Sequence, residues 1–115
     1  MGKNTVEVRL TAGAEHDLTG IYRRRLIQRG PEGDDGAEAL LDRIVKGIEG
    51  LADYPERGPV PPELEVLGIR NYRQRSLPPY RVIYLPEGAV ITVLIIADGR
   101  RDFRTLLEER VLRSR

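Results

Sequence analysis

The hydrophobic period of this sequence changes at one stretch, the proline- and glycine-rich segment Arg57-Gly58-Pro59-Val60-Pro61-Pro62. For most of the chain before it, from Ala14 to Ala52, apolar residues recur every three to four positions; from Leu67 to Ala97 after it, they recur every two. The first period belongs to helices with one buried stripe and the second to strands with one buried face. The segment is too short and too rigid to be a domain linker. The 115 residues are therefore expected to form one α+β domain spanning 1–115, a size at which a core can form without disulfides or metals.

Within the first block, Val6, Val8 and Leu10 alternate with Glu7 and Arg9, which predicts a strand ahead of the helices. Thr11 stands where a helix N-cap belongs, and Ala14, Leu18, Ile21, Tyr22 and Leu26 follow at helical spacing until Gly30-Pro31 stops them. Glu32 to Gly36 reads as a polar turn, with Asp35 and Glu38 at capping-box spacing. Ala37, Leu40, Leu41, Ile44, Ile48, Leu51 and Ala52 then form a second apolar stripe ending at Tyr54-Pro55. So short a link makes the two helices an antiparallel hairpin. Gly47 and Gly50 inside the second helix cost about 1 kcal/mol each relative to alanine, which suits either a close helix approach or an outer face that tolerates them.

The second block predicts strands over Leu67 to Arg75, Tyr80 to Leu85 and Ala89 to Ala97, the last two joined by a three-residue turn, Pro86-Glu87-Gly88. The third of these is apolar on both faces and should be central. Asp102 is placed to cap a short final helix that turns Phe103, Leu106, Leu107 and Val111 inward. The expected order is β-α-α-β-β-β-α, with the N-terminal helical hairpin packed on an antiparallel sheet and a short C-terminal helix partly covering the other face. The exposed part of that face would carry Arg70, Arg73, Arg75 and Arg81, with Arg100 and Arg101 at the corner after the central strand. Such a surface suits phosphates or an acidic partner, or it pairs internally with Asp98, Asp102, Glu108 and Glu109.

Composition narrows the chemistry. There is no cysteine, which excludes disulfides, thiolate metal sites and cysteine nucleophiles. The one histidine, His16, falls on the side of the first helix away from Leu18 and is expected in solvent. Asp34-Asp35 lacks the further oxygens of a calcium loop, and no glycine-rich phosphate loop is present, so neither metal nor cofactor is expected. The longest apolar run, Ala89 to Ala97, is about half of the ~20 residues that span a bilayer, and Met1 to Thr5 has no apolar leader core; a cytoplasmic protein without a membrane partner is expected. Residues 1–64 carry a net charge of −3 and residues 65–115 a net of +4. Lys3 and Lys46 are the only lysines, so the C-terminal half holds its positive charge entirely in guanidinium groups, which do not shuttle protons near neutrality. Tyr72, Tyr80 and Tyr84 could stack on bases or simply pack between strands.

The run Thr11-x-x-Ala14-x-x-Asp17-Leu18-x-x-Ile21-Tyr22 resembles the first-helix signature of the RelE/ParE toxins. Leu67-Gly68-Ile69-Arg70-x-Tyr72-Arg73, Tyr80-Arg81-Val82-Ile83-Tyr84 and Asp98-Gly99-Arg100-Arg101-Asp102 are similar to later segments of the same superfamily, the last to the ParE branch. The resemblance covers nearly the whole chain, in the element order read above. It departs from the family at Pro78-Pro79, where a short Gly-Asp turn is usual, and at Asp98, where His or Arg is common. It implies a type II toxin neutralised by a cognate ParD-like antitoxin, whose amphipathic helix would enter a groove to which Leu18, Ile21, Tyr22, Leu51 and Tyr54 contribute.

RelE-like members cut messenger RNA on the ribosome, whereas ParE-like members inhibit DNA gyrase without nucleolytic chemistry. Cleavage through the 2′-hydroxyl needs a base, charge stabilisation and a proton donor. Arg81 matches the central-strand arginine of the nucleases, and Arg100 or Arg101 the one at the corner. No lysine follows Lys46 and no Tyr or His follows Tyr84, which leaves Glu63 or Glu65 as the conceivable base. The expectation is a gyrase inhibitor with no catalytic residue, a target-binding surface of Arg73, Arg81, Arg100 and Arg101, no cofactor, and DNA reached only indirectly through antitoxin or gyrase. The alternatives are a RelE-type messenger endonuclease and a non-toxic binding relative.

Overall fold

The computed structural model describes residues 6–113, so the leader reading at Met1–Thr5 lies outside the described residues. The elements are β1 (Glu7–Leu10), α1 (Ala12–Arg29), α2 (Ala37–Glu49, continued by a 3₁₀ turn over Gly50–Ala52), α3 (Pro62–Glu65), β2 (Arg73–Leu77), β3 (Tyr80–Glu87), β4 (Val90–Asp98) and α4 (Phe103–Leu107, continued by a π turn over Glu108–Leu112). The strands form one sheet in the order β1-β4-β3-β2.

Side chains of β3 and β4 build a core on each face. On one face the α1–α2 hairpin lays Ala14, Ile21, Leu40, Ile44 and Ile48 over Val82, Tyr84, Ile91, Val93 and Ile96. On the other, Leu64 of α3 and Phe103, Leu106, Leu107 and Val111 of the C-terminal segment cover Ile83, Ile95 and Ala97. β4 is thus buried on both faces, as its continuous apolar run requires. Its side-chain alternation is reset where the β3–β4 register skips Leu94, between the pairs Ile83–Ile95 and Tyr84–Val93. Without that bulge Val93 and Ile96 could not face the same core.

The helix starts follow local chemistry. The Thr11 side chain accepts the Ala14 N–H at 3.0 Å, and Asp102 accepts the Thr105 N–H at 3.3 Å. α2 starts differently from the capping box expected at Asp35. Its N-cap is Gly36, without a side-chain cap. The Ala37 and Glu38 N–H groups instead donate to Gly30 and Pro31 carbonyls at 2.9 and 3.1 Å. The inter-helix turn supplies the acceptors that Asp35 was expected to provide, and the Glu38 carboxylate is free to accept the Tyr22 hydroxyl.

Three other expectations change. The second strand begins at Arg73, not Leu67, because Pro61-Pro62 opens the helical turn α3 and Gly68, at φ 78°, ends it. Proline at a first helical position needs no N–H partner there, so this stretch folds as a helix start rather than an open loop. The β3–β4 hairpin turns on two residues, Gly88 and Ala89, between paired Glu87 and Val90; Gly88 at φ 62° takes the conformation only glycine adopts cheaply. The sheet is mixed: β2, β3 and β4 are antiparallel, but β1 joins β4 in parallel, Glu7 opposite Val90 through Leu10 opposite Val93. Alternation shows which face of a strand is buried, not which way it runs, and the whole α1–β3 segment supplies the long connection that a parallel pair needs.

Candidate functional site

The register of β2 divides the arginines expected on one surface. Gln74 and Ser76 stand opposite Ile83 and Arg81, whereas Arg73 and Arg75 stand opposite Tyr84 and Val82. Arg81 therefore lies on the face covered by α3 and α4, and Arg73 on the face of the helical hairpin. A shift of one residue in strand parity is enough to cause this separation. Arg70 precedes β2 and pairs with Glu65 at 2.7 Å. Arg73 Nε is buried without a hydrogen-bond partner among the described residues, beside Tyr84, whose hydroxyl pKa is raised chiefly by burial.

Arg81 is largely enclosed, with a side chain 19% exposed. Its guanidinium donates to both Glu63 carboxylate oxygens at 3.0 Å, and also to Gln74 Oε1. Its carbon centre lies 4.0 Å from the centre of the Phe103 ring. Bidentate pairing and ring stacking use both the edge and the face of the group. The hydrogen bonds from Arg81 hold the Glu63 carboxyl below its ordinary range, against the opposing effect of partial burial.

Arg100 and Arg101 sit at the corner between β4 and α4. The Gly99 N–H donates to Pro79 O at 2.8 Å, the Arg101 N–H to Asp98 O at 3.0 Å and the Arg100 N–H to Asp98 Oδ1 at 2.9 Å, which fixes the turn. The Arg100 guanidinium pairs with both Asp98 oxygens at 3.0 and 2.9 Å. Those bonds are the main reason the Asp98 carboxyl is lowered to about 2. Across from the corner stands α1, and the two enclose a cleft of about 570 Å3 with Arg24 and Arg25 on the helix side. Sequence reasoning missed these two arginines. The signal was present: Ile21, Arg24, Arg25 and Gln28 follow i, i+3, i+4, i+7 spacing and so share one helix face.

The five residues expected at the antitoxin groove separate. Leu18 and Tyr22 line an apolar groove of about 400 Å3 together with Leu10 of β1 and Leu41 of α2. Ile21 and Leu51 are core residues, each 3% exposed. Tyr54 is 65% exposed, with the Arg57 guanidinium 5.4 Å from its ring centre at the far end of the hairpin. His16 is exposed, and Tyr72, Tyr80 and Tyr84 pack against the two cores rather than lining one open face. Among the described residues no cluster of His, Asp and Glu could hold a metal ion, and no helix is long and apolar enough to cross a membrane.

Comparison with known proteins gives one family. Residues 8–103 match the model of the ParE toxin of type II toxin–antitoxin systems, parDE. The fold is similar to a chain of the chromosomal ParDE toxin–antitoxin system from P. aeruginosa, at TM-score 0.66 and 22% identity over 84% of this chain and 98% of that one. It is also similar to a chain of the toxin–antitoxin complex RelBE2 from Mycobacterium tuberculosis, at TM-score 0.57 and 18% identity over 87% of this chain and 98% of that one. No curated protein sequence matches.

Proposed function

The chain belongs to the ParE toxin family of type II toxin–antitoxin systems, and on that premise we propose that it arrests growth by binding DNA gyrase, not by cutting RNA, and that a cognate ParD-like antitoxin silences it. The observation that carries the mechanism is the state of Arg81. A nuclease of this superfamily needs its central-strand arginine free to meet a phosphorane; here Glu63 occupies that guanidinium in a bidentate pair and Phe103 closes its face. The same pairing weakens Glu63 as a base, and Glu65, the other carboxylate at hand, is paired with Arg70. A base must hold the proton that it abstracts, and a depressed pKa opposes that.

Inhibition by binding needs no proton transfer, only a rigid surface that complements gyrase or its DNA complex. Arg100 and Arg101, on a turn fixed by three hydrogen bonds, offer such a surface, and Arg24 and Arg25 extend it. Arg81 acts behind it as a positioning residue, since Gly99 packs on its side chain. Arg73, at the end of β2 away from the corner, is not part of it. The antitoxin helix fits the Leu10–Leu18–Tyr22–Leu41 groove, where apolar residues from three elements meet.

Supercoiling and cleavage-complex assays with purified gyrase test the reading. The wild type is expected to block supercoiling or to accumulate cleaved DNA, and Arg100→Ala combined with Arg101→Ala to lose the effect while still binding antitoxin. Leu18→Glu should do the reverse, keeping the effect and losing the antitoxin. A wild type that leaves gyrase untouched removes the mechanism. Codon-specific cuts mapped by primer extension on translating ribosomes would establish the endonuclease instead, and unimpaired growth on induction the non-toxic relative.

A further inference from the structure

Seven of the seventeen Lys and Arg side chains among the described residues face an anion, six of them away from the Asp98–Arg101 corner. Arg9 pairs with Glu7, Arg29 with Asp35, Lys46 with Asp42, Arg70 with Glu65, Arg81 with Glu63 and Arg110 with Asp17. The cleft between α1 and the Asp98–Arg101 corner gathers three of the others, Arg24, Arg25 and Arg101. Four arginines line it against one carboxylate, Asp98, and Arg100 engages both oxygens of that carboxylate. Among the described residues, no carboxylate forms an ion pair with Arg24, Arg25 or Arg101. One Arg25 nitrogen donates to the Asp35 carbonyl at 2.9 Å, which anchors the side chain and leaves its other donors available. The cleft thus concentrates positive charge on a chain whose formal net charge is only +1.

We propose that this cleft binds the phosphodiester backbone of a nucleic acid directly, a contact that the family resemblance assigned only to antitoxin or gyrase. Fixed guanidinium forks match phosphate oxygens in geometry and charge. The apolar lining does not match a protein partner: Ile21 is buried, and Pro79 and the half-buried Tyr80 supply no protruding anchor or deep apolar pocket. Protein recognition concentrates its energy in such anchors, whereas backbone binding to nucleic acid needs charge and hydrogen bonds alone. The opening, about 570 Å3, admits a backbone segment between the helix wall and the corner. The inference rests on the cleft proposed above as part of the toxic surface, and it does not require that gyrase be the target.

The test is fluorescence anisotropy of the purified chain with a short duplex DNA, a single-stranded RNA of equal length and polyglutamate, each over a range of salt concentrations. Binding through three unpaired arginines predicts a log–log salt slope of about −3 on duplex DNA. Arg24→Ala with Arg101→Ala should make the slope shallower by about 2 and weaken binding roughly a hundredfold at low salt. Arg24→Gln with Arg101→Gln, which keeps most of each side-chain stem, should do the same, with thermal melts reporting the fold of both pairs. Arg43→Ala with Arg57→Ala removes equal charge elsewhere and should leave binding unchanged. The tighter of the two nucleic acids identifies the source of the backbone. Absence of salt-dependent binding to either, equal loss in the Arg43/Arg57 control, or tighter binding of polyglutamate each overturns the proposal. A chain that binds duplex but leaves supercoiling intact keeps the cleft and removes gyrase as target; the opposite result keeps gyrase and removes the cleft.

Discussion

Asp17 and Arg110 lie at opposite ends of the chain and meet over the edge of β4. β1 ends opposite Val93, so the Leu94 carbonyl and the Ile96 N–H beyond it have no strand to pair with on that side. Asp17 accepts the Ile96 N–H at 3.0 Å, Arg110 donates to the Leu94 carbonyl at 2.8 Å, and the two side chains join at 2.7 and 3.0 Å. Arg110→Ala would strand a half-buried carboxylate and a carbonyl together, and is expected to cost about 2 kcal/mol, read from urea unfolding. Glu63 gives a pH-dependent counterpart. Its folded pKa is lowered, so its pair with Arg81 stabilises the fold above the unfolded carboxyl value and loses that contribution as pH falls through the folded one. The stability gap between wild type and Glu63→Gln should stay level near neutrality and close on acidification below about pH 4. A gap that persists into strong acid would show that the pair contributes nothing through its charge. Asp17 was visible in the sequence as part of a helix signature, but its role was not. Its partner lies on the final turn of the chain, and no local pattern connects them.

Glycine marks where elements approach one another. A Cβ on Gly50 meets nothing within 4 Å, and the residue already has the right-handed helical conformation. Gly50→Ala should therefore stabilise by about 0.5–1 kcal/mol, visible as a raised melting temperature. Gly58→Ala should do the opposite, because its Cβ would overlap the Gln74 carbonyl, with the Tyr84 hydroxyl 2.8 Å away. That contact belongs to the loop covering the outer edge of β2, where the Gln74 N–H donates to Pro59 O at 2.9 Å. Gly47 fits neither sequence reading: a Cβ there would come within 2.6 Å of Leu77, so the close approach is to a strand and not to the other helix. The long periodic elements were legible in sequence because their apolar spacing is also their burial pattern. α3, the start of β2 and the direction of β1 were not. The first two depend on backbone geometry at prolines and glycines, and the third on a partner more than eighty residues away. The same limit dispersed the expected arginine surface. Placing Arg73 beside Arg81 required the parity of β2, which its few alternating residues did not define, and the α1 arginines could not be connected to the corner before the sheet was known.

The molecule is a slab, with extents of 42 × 41 × 22 Å, in which both cores share β3 and β4. Each core depends on these two strands, so they should melt together. Tyrosine fluorescence, dominated by residues around the hairpin core, and far-ultraviolet circular dichroism are expected to give coincident urea transitions. Separate midpoints would show that the C-terminal segment detaches first. The pairing of β1 with β4 and the Asp17–Arg110 bridge have a consequence in time. Each joins a segment to one synthesised some eighty to ninety residues later. A chain leaving the ribosome from its N-terminus cannot complete the sheet until β4 has emerged or close the bridge until Arg110 has, and distant contacts form slowly even then. Nascent chains halted before Arg110 should remain sensitive to protease, and full-length released chains should not. Until Arg110 has emerged the fold lacks this tie, an interval in which a partner can already be folded and waiting.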